Sequence, residues 1–240
     1  MAATIHLQPT AELAERVLLP GDPGRALLLA QSLLDAPRMF NHHRGLWGYT
    51  GAAADGAPLT IQATGMGGPS AAIVVAELAD LGARRVVRVG TCGALAEGLA
   101  LGDLVTVESA VGADGVSAVL GLAGPDPALT GALEADHRGP VVTTDLFYDP
   151  DRARQEGWAA GGALAVEMEC AAIFAVAARR GLAAAALLLV SDLVLPVRER
   201  IGDLAEARLD SARDIAGRVL RTQVHGPRAG ARCRRPRPTS

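Results

Sequence analysis

Apolar runs of strand character alternate along this chain with alanine-rich segments of helical character. The clearest run is the nine-residue stretch 182–190, and similar runs lie at 17–19 and 85–89. Such runs are typical of strands buried on both faces, and the segments between them are long enough for helices that cross over to the next strand. The alternation predicts an α/β fold, a single domain of three α/β/α layers around a mixed, largely parallel twisted central sheet.

The segments between these runs add detail. A hairpin is predicted where Asp55-Gly56, a pair suited to a tight turn, separates the extended segments 47–52 and 59–63. Gly90 should end the strand at 85–89, and the segment 112–140 is predicted to be irregular because it is rich in Gly, Pro, Asp and Ala. Helices are predicted at 25–34, 69–81, 170–180 (with Gly181 as its cap) and 203–220, and short strands at 104–107, 141–143 and 164–166.

Length and composition limit the possible partners. The 240 residues, 50% of them hydrophobic, suit one domain with its own core, at residues 1–223, and an Arg- and Pro-rich tail at 224–240 that we expect to be disordered. The formal net charge of −3 argues against nucleic acid or an anionic membrane as partner, since both need clustered cations. Cys92, Cys170 and Cys233 lack metal or disulfide spacing, and no signal peptide or membrane-length apolar run occurs, so a cytoplasmic location is expected.

Two arginine motifs indicate an anion site. Gly21-Asp22-Pro23-Gly24-Arg25 lies where a strand enters a helix, and free N–H groups, glycine and a forked arginine there favour phosphate. Arg88 lies inside an apolar strand, where a guanidinium needs an acidic partner or a bound anion, and Thr91 follows with a hydroxyl donor. The alternatives are a tight turn with a surface arginine, and a structural ion pair.

A glycine-rich loop lies between these motifs. The segment 64–70, Thr-Gly-Met-Gly-Gly-Pro-Ser, connects a strand to a helix and could approach a small ligand closely. It does not match G-x-G-x-x-G followed by an acidic ribose-binding residue, so a dinucleotide cofactor is not favoured.

Acidic residues mark two further positions. Glu167 and Glu169 lie at a strand end that enters a helix, where one carboxylate could bind adjacent sugar hydroxyls while Met168 supplies apolar surface. Alternatively, Glu169 only caps the helix and Glu167 is solvated. Asp192 follows the strand 182–190 at its carboxyl end, where ligands bind in open α/β sheets and a partly desolvated acid can protonate a leaving base. A turn or capping aspartate is the alternative.

In this order, the segments GDPGR, TGMGGPS, RVGTCGA, DLFY, VEMEC and SD resemble those of the trimeric and hexameric nucleoside phosphorylases, a family that includes purine nucleoside phosphorylases and uridine phosphorylases. The resemblance extends from about residue 6 to residue 220 and is closer to the purine branch. It implies the phosphorolysis of purine nucleosides to a free base and ribose 1-phosphate, with Asp192 as the acid that protonates purine N7.

The resemblance also implies the remaining site residues, which fall into three groups by the part of the substrate that they contact. The phosphate contacts are Gly21, Arg25, Arg88, Thr91 and, from a neighbouring subunit, Arg44; the ribose contacts are Met66, Met168, Glu169 and, also from the neighbour, His6; the base contacts are Cys92, Gly93, Phe147, Val166, Glu167 and Ser191. Without the resemblance, His6 would be an exposed terminal side chain and Arg44 ordinary surface charge.

The same resemblance implies the partners. Nucleoside and inorganic phosphate are the substrates, with no metal and no organic cofactor. Because two residues of each site come from a neighbour, a homo-oligomer built from dimer units is implied, and a hexamer is expected.

Three alternatives are left open. A uridine phosphorylase would carry a glutamine and arginine pair, but the chain continues after Phe147 as Tyr148-Asp149-Pro150-Asp151. A nucleosidase that uses water lacks the GDP-x-R loop, and a non-catalytic binder would not need the set Arg25, Arg88, Glu169 and Asp192. The purine enzymes have an arginine after the SD motif, for which Arg198, Arg200 and Arg208 are candidates without a secure match.

Overall fold

The computed structural model describes residues 4–195 and the short strand Glu199–Arg200. Its strands are β1 (Arg16–Leu19), β2 (Leu34–Asn41), β3 (Gly48–Ala53), β4 (Pro58–Gln62), β5 (Arg85–Ala94), β6 (Leu104–Ala113), β7 (His137–Thr144), β8 (Ala165–Glu167), β9 (Ala183–Leu193) and β10 (Glu199–Arg200). Its α-helices are α1 (Pro23–Leu33), α2 (Gly68–Leu81), α3 (Gly115–Leu120), α4 (Pro127–Ala132), α5 (Arg152–Ala160) and α6 (Cys170–Arg180), and a 3₁₀ turn covers His43–Gly45.

All ten strands belong to one mixed sheet, in the order β10-β9-β6-β7-β8-β5-β1-β4-β3-β2. Because β9 also pairs with β5, the five strands β5, β9, β6, β7 and β8 close into a ring, and β1 to β4 extend from it. The predicted mixed sheet is confirmed. Parallel pairings make up half of the strand pairings described, a smaller share than expected. The antiparallel pairings come mainly from the β-meander β2-β3-β4 and from the pairs β5-β8 and β6-β9 within the ring.

Burial on both faces explains the apolar strands. Along β9, Ala184, Ala186, Leu188 and Val190 pack into the core that contains α2 and α6, whereas Ala185, Leu187 and Leu189 pack into the core that contains α1. Alternate side chains of a strand point to opposite faces, so a strand between two helical layers buries both faces and is apolar along its whole length. The expected α/β/α layering follows from this pattern.

The helix ends agree with the local sequence signals. Asp22 caps α1 by accepting a hydrogen bond from the backbone N of Arg25 at 2.7 Å, and Pro23 occupies the first helical position. Gly181 ends α6 in the left-handed region at φ +68°, as predicted. In the part of the chain that the structure describes, no helix is long and apolar enough to cross a membrane.

Several boundaries differ from the sequence-based expectation. Gly90 does not end β5, which continues to Ala94. The segment 112–140, predicted to be irregular, contains α3, α4 and the start of β7. The elements β2 and α5 were not predicted, because Pro37 interrupts the first and the second buries no residue that could give a helical period. The predicted helix 203–220 and the tail 224–240 lie outside the described residues.

Candidate active site

The carboxyl ends of four parallel strands meet at one edge of the sheet, since β1 pairs with β4 and β5, and β5 pairs with β9. The two glycine-rich loops leave this edge side by side. The backbone N of Gly65 donates to the carbonyl of Gly21 at 3.0 Å, and the N of Thr64 donates to the carbonyl of Pro20 at 2.9 Å. The structure therefore brings Gly21 next to the loop that carries Met66, and Arg25 lies half-buried in the first turn of α1 behind it.

Arg88 is buried in this edge and belongs to an ion triad. Its Nε donates to Oε2 of Glu167 at 3.1 Å, and its Nη2 donates to Oε2 of Glu169. Burial opposes its positive charge, but the charges of Glu169 and Glu167 raise the pKa of Arg88 above its ordinary value. Nη1 is also buried, and it has no hydrogen-bond partner among the described residues. The structural ion pair, which the sequence left open as the alternative, is therefore present, and the binding of an anion by Arg88 stays a prediction.

Gly90 allows this arrangement. A Cβ at Gly90 would lie 2.7 Å from both Cζ and Nη2 of Arg88, so the guanidinium rests directly over the glycine backbone. Any side chain at this position would displace the arginine. Gly90 is therefore needed inside β5 to make room for Arg88, although the sequence predicted that it would end this strand.

Glu169 links the triad to the second glycine-rich loop. Its carboxylate is buried, and Oε1 accepts a hydrogen bond at 2.5 Å from the backbone N of Gly67, which precedes α2. Although Glu169 occupies the N-cap position of α6, its side chain makes no capping hydrogen bond there, so the simple capping alternative is wrong. Burial raises the pKa of Glu169, the Glu167 charge adds to the rise, and Arg88 opposes it.

Glu167 is not solvated, and its surroundings argue against the expected contact with a base. Its side chain is 0% exposed, and all its described hydrogen bonds come from protein groups. Besides Arg88, these are Oγ1 of Thr143 at 2.5 Å and the backbone N of Glu169 and of Cys170, each at 2.9 Å. The carboxylate thus lies inside the protein at the start of α6.

Three other expected contacts occupy the same edge. Thr91 is half-buried on β5 beyond Gly90, and Met168 is half-buried between the two glutamates. Met66 is 87% exposed at the tip of its loop, between Gly65 and Gly67. All three belong to segments that also carry the triad or the loop bonded to Glu169, and their contacts with phosphate or ribose stay predictions.

A second group of expected residues surrounds Gly93. In the sheet, Gly93 pairs with Val166 on one side and with Asp192 on the other. A Cβ at Gly93 would lie 2.5 Å from Cγ2 of Val194, so the glycine leaves room for the side chain that follows β9, whereas the distances to Val166 and Asp192 are ordinary contacts. The structure therefore joins β5, β8 and β9 at the position expected for the base.

Asp192 is buried at the end of β9, where a register shift lies between its pairing with Gly93 and the pairing of Val190 with Cys92. Ser191 is the additional residue of this bulge, and such bulges redirect side chains near active sites. Its hydroxyl donates to Oδ2 of Asp192 at 2.8 Å and lies 3.4 Å from the carbonyl of Cys92. Burial raises the pKa of the Cys92 thiol, which keeps it protonated and unreactive.

The segment after Asp192 contains the three candidate arginines. Strand β10 pairs with β9 so that Arg200 occupies the register position opposite Asp192. Arg198 and Arg208 lie outside the described residues. The sequence alone did not distinguish Arg200, because a two-residue strand gives no periodic signal.

Phe147 lies in the loop after β7. Its ring meets that of Tyr148 edge to face, with centroids 5.0 Å apart, and is 40% exposed. The loop is tied to the start of α3 by a hydrogen bond of 2.8 Å from the N of Gly115 to Oδ2 of Asp145. Because Thr143 on β7 pairs with Glu167, the loop begins beside the triad.

His6 lies beside the 3₁₀ turn that carries Arg44. Nδ1 of His6 is 2.7 Å from Oε1 of Glu77 on α2, and Nδ1 of His43 is 3.3 Å from the carbonyl of His6. The next residue, Arg44, is exposed and has a left-handed backbone at φ +57°. Glu77 also accepts hydrogen bonds from the backbone N of Ile5, His6 and Leu7, so it holds the N-terminal segment in place.

Sequence reasoning missed the residues that support the site. Glu77, Thr143, Gly67 and Gly90 each hold a functional side chain in place. The pairing of Glu77 with His6 and that of Thr143 with Glu167 span 71 and 24 residues, and no local motif records such a separation. Gly67 and Gly90 belong to motifs that were recognised, but the partners of these glycines could not be inferred.

The fold and these side chains define an α/β enzyme with a buried arginine, two carboxylates and an aspartate at the carboxyl edge of its sheet. The chain belongs to the phosphorylase superfamily, whose family model matches residues 15–223. This confirms the resemblance noted in the sequence, and the chain is a nucleoside phosphorylase-type pentosyltransferase that acts on nucleoside and phosphate.

Individual relatives agree with this assignment. The chain is 39% identical over 208 residues to a purine nucleoside phosphorylase of the DeoD type from Alkaliphilus metalliredigens, covering 80% of this chain and 88% of the relative. It is 34% identical over 238 residues to a guanosine phosphorylase from Halorubrum lacusprofundi, covering 94% and 98%. The crystal structure of a uridine phosphorylase from Vibrio fischeri superposes with a TM-score of 0.78 at 28% identity, covering 88% and 91% of the two chains.

Proposed function

We propose that this enzyme cleaves purine nucleosides with inorganic phosphate, and that it binds the phosphate beside Arg88. The observation that carries this proposal is the buried Nη1 of Arg88, which has no hydrogen-bond partner among the described residues although a buried donor left unpaired is costly. A phosphate oxygen would satisfy it. Gly21, Arg25 and Thr91 lie on the same edge and supply further donors.

The ribose is proposed to lie between this anion and Glu169. One oxygen of Glu169 is held by Gly67 and the other by Arg88, so the carboxylate is fixed in direction and can accept hydrogen bonds from adjacent hydroxyls. Met66 and Met168 flank it with apolar surface. The purine would then reach the group around Gly93, with Phe147 as its aromatic neighbour and Asp192 near N7.

The mechanism follows from these positions. A phosphate oxygen attacks C1′ of the ribose while the bond from C1′ to the base breaks, and the electron pair of that bond passes to the purine. A protonated Asp192 donates its proton to N7, so the base leaves neutral and ribose 1-phosphate is formed. Since the phosphate is held before the bond stretches, its charge stabilises the sugar cation that develops. This chemistry needs no metal or organic cofactor.

Two further properties belong to the proposal. His6 and Arg44 are proposed to complete the site of a neighbouring subunit, because the described contacts of His6 are with Glu77 and with His43, the residue before Arg44, and none of them is with the triad of its own chain. The active form is then a homo-oligomer of dimer units, with a hexamer as the expected assembly and the cytoplasm as its location.

Exchanging Arg88 for lysine tests the phosphate site. Arg88→Lys keeps one positive charge but cannot bond Glu167, Glu169 and phosphate together, so the KM for phosphate should rise about tenfold or more. Arg85→Lys is the matched control, since Arg85 is the first residue of the same strand and lines a groove at its amino end. Initial rates of inosine cleavage over a range of phosphate concentrations provide the measurement. A normal phosphate dependence in Arg88→Lys would place the anion elsewhere.

The alternatives are distinguished by the same assay. A uridine phosphorylase, the function of the Vibrio fischeri protein, would cleave uridine faster than inosine. A water-using nucleosidase would release base without phosphate or arsenate. We expect phosphate-dependent release of a purine base and little cleavage of uridine, because Asp192 is suited to protonate a purine.

A further inference from the structure

Glu167 is the most deeply buried member of the ion triad. Its side chain is 0% exposed, against 4% for Arg88 and 7% for Glu169. A carboxylate has about four acceptor positions, and four protein donors take them: Nε of Arg88, Oγ1 of Thr143, and the backbone N of Glu169 and Cys170. No acceptor position remains for a ligand, so Glu167 must act through the groups that it binds.

Arg88 is the group that Glu167 fixes. The bond from Nε sets one edge of the guanidinium, and the close approach to Gly90 sets its plane. With edge and plane both determined, Nη2 is held against Glu169, and Nη1 is left as the one guanidinium donor group without a partner among the described residues. Since guanidinium binding depends on direction as well as charge, an arginine so fixed binds an oxyanion without losing further side-chain freedom.

Thr143 completes this support. Its hydroxyl donates to Oε1 of Glu167 at 2.5 Å and accepts from the backbone N of Ala171 at 2.9 Å. The hydroxyl therefore joins β7, β8 and the first turn of α6 at one point. Through it, the position of Glu167 is tied to two strands and a helix.

We infer that Glu167, held by Thr143, is a positioning residue that sets the direction of Arg88 and thereby the affinity for phosphate, and that it does not contact the base. This inference depends on the proposed phosphate site at Arg88. Without the Glu167 charge, Arg88 would be drawn towards Glu169, its remaining carboxylate, which would then compete with phosphate for the same donors.

The test uses the full-length enzyme and three variants, Glu167→Gln, Thr143→Val and Thr143→Ser. Glu167→Gln should raise the KM for phosphate about tenfold or more, the loss expected for one hydrogen bond to a charged group, while kcat changes by less than about threefold. The ratio of kcat/KM for inosine to that for adenosine should stay unchanged. Thr143→Val should raise the KM for phosphate to a smaller extent. Thr143→Ser keeps the hydroxyl, and its KM for phosphate should equal that of the wild type.

Asp103→Asn is the control. It removes a carboxylate from the pair with His137, which belongs to a different part of the fold, and its phosphate kinetics should equal those of the wild type. An unchanged KM for phosphate in folded Glu167→Gln overturns the inference, as does an altered inosine-to-adenosine ratio, the mark of a base contact. If Glu167→Gln does not fold, the comparison of Thr143→Val with Thr143→Ser is the test. Equal KM values for phosphate in these two variants then overturn the inference. A normal Arg88→Lys would instead refute the phosphate site itself.

Discussion

At the scale of single residues, the site has one buried positive charge beside two carboxylates. Such a group is already negative when both acids are ionised, and a phosphate adds more negative charge. Burial also raises the pKa of Glu169, which shows how costly its charge is in this place. Arg88 alone cannot offset the anion, and this explains why Arg25 and a neighbouring Arg44 are needed in the proposed site.

Asp192 can be tested separately from the phosphate site. Asp192→Asn removes the proton donor but keeps the shape of the side chain, so kcat for inosine should fall about a hundredfold or more while the KM for phosphate stays unchanged. In a nucleoside that is already alkylated at N7, the base leaves in its neutral form without gaining a proton. The cleavage of such a substrate by Asp192→Asn should therefore be affected much less. Steady-state rates with both substrates measure this, and equal losses for both would contradict the role of an acid.

At the scale of elements, the sequence predicts what is local and periodic. The apolar strand β9, the capped helix α6 and the loops after β1 and β4 are visible in the sequence because their signals lie within about a dozen residues. The exposed helix α5 and the edge strand β2 lack such signals. For the site, the motifs predicted Arg88, Glu169 and Asp192, and the structure brings Arg88 and Glu169 into contact. The full burial of Glu167 depends on pairing β7 with β8, which no single segment specifies.

The hairpin β3-β4 offers a test of element stability. Arg16 on β1 binds the hairpin turn through both carboxylate oxygens of Asp55, each at 2.6 Å. Both residues line a groove of about 810 Å³ at the amino ends of the strands. The hydrogen bonds from Arg16 lower the pKa of Asp55 from 3.8 to about 2, although burial opposes them. Since the folded pKa lies below the unfolded one, this stabilisation is present above about pH 4 and is lost as the pH falls towards 2.

Asp55→Asn should therefore reduce the free energy of unfolding by about 1 kcal/mol at neutral pH, the upper range for partly exposed ion pairs. The difference from the wild type should shrink at about pH 3, because below its ordinary pKa of 3.8 Asp55 is protonated in the unfolded chain while the native pair is still ionised, and this proton uptake favours unfolding. Urea unfolding at both pH values provides the measurement. Glu156→Gln, which breaks the exposed pair with Arg152, is the control and should have a smaller effect. An equal loss at both pH values would show that the charge of Asp55 is not responsible.

At the scale of the whole molecule, the expected site residues fall into two clusters. The triad and Asp192 lie at the carboxyl edge of the sheet, whereas His6 contacts Glu77 and His43, and Arg44 follows His43 in the chain. In a dimer with twofold symmetry, each chain can give the second cluster to its partner while it receives the same residues in return. Such an exchange makes assembly a condition of activity.

Mixed oligomers test this exchange. Arg44→Ala damages the residue that a chain lends, and Asp192→Asn damages the acid that a chain keeps. When both variants are co-expressed with different tags, a mixed dimer has one site with two damaged residues and one wild-type site. Random pairing makes half of the dimers mixed, so about a quarter of the wild-type activity at limiting phosphate should return. If Arg44 served its own chain, every site would carry one damaged residue, and the mixture would show only the average activity of the two variants.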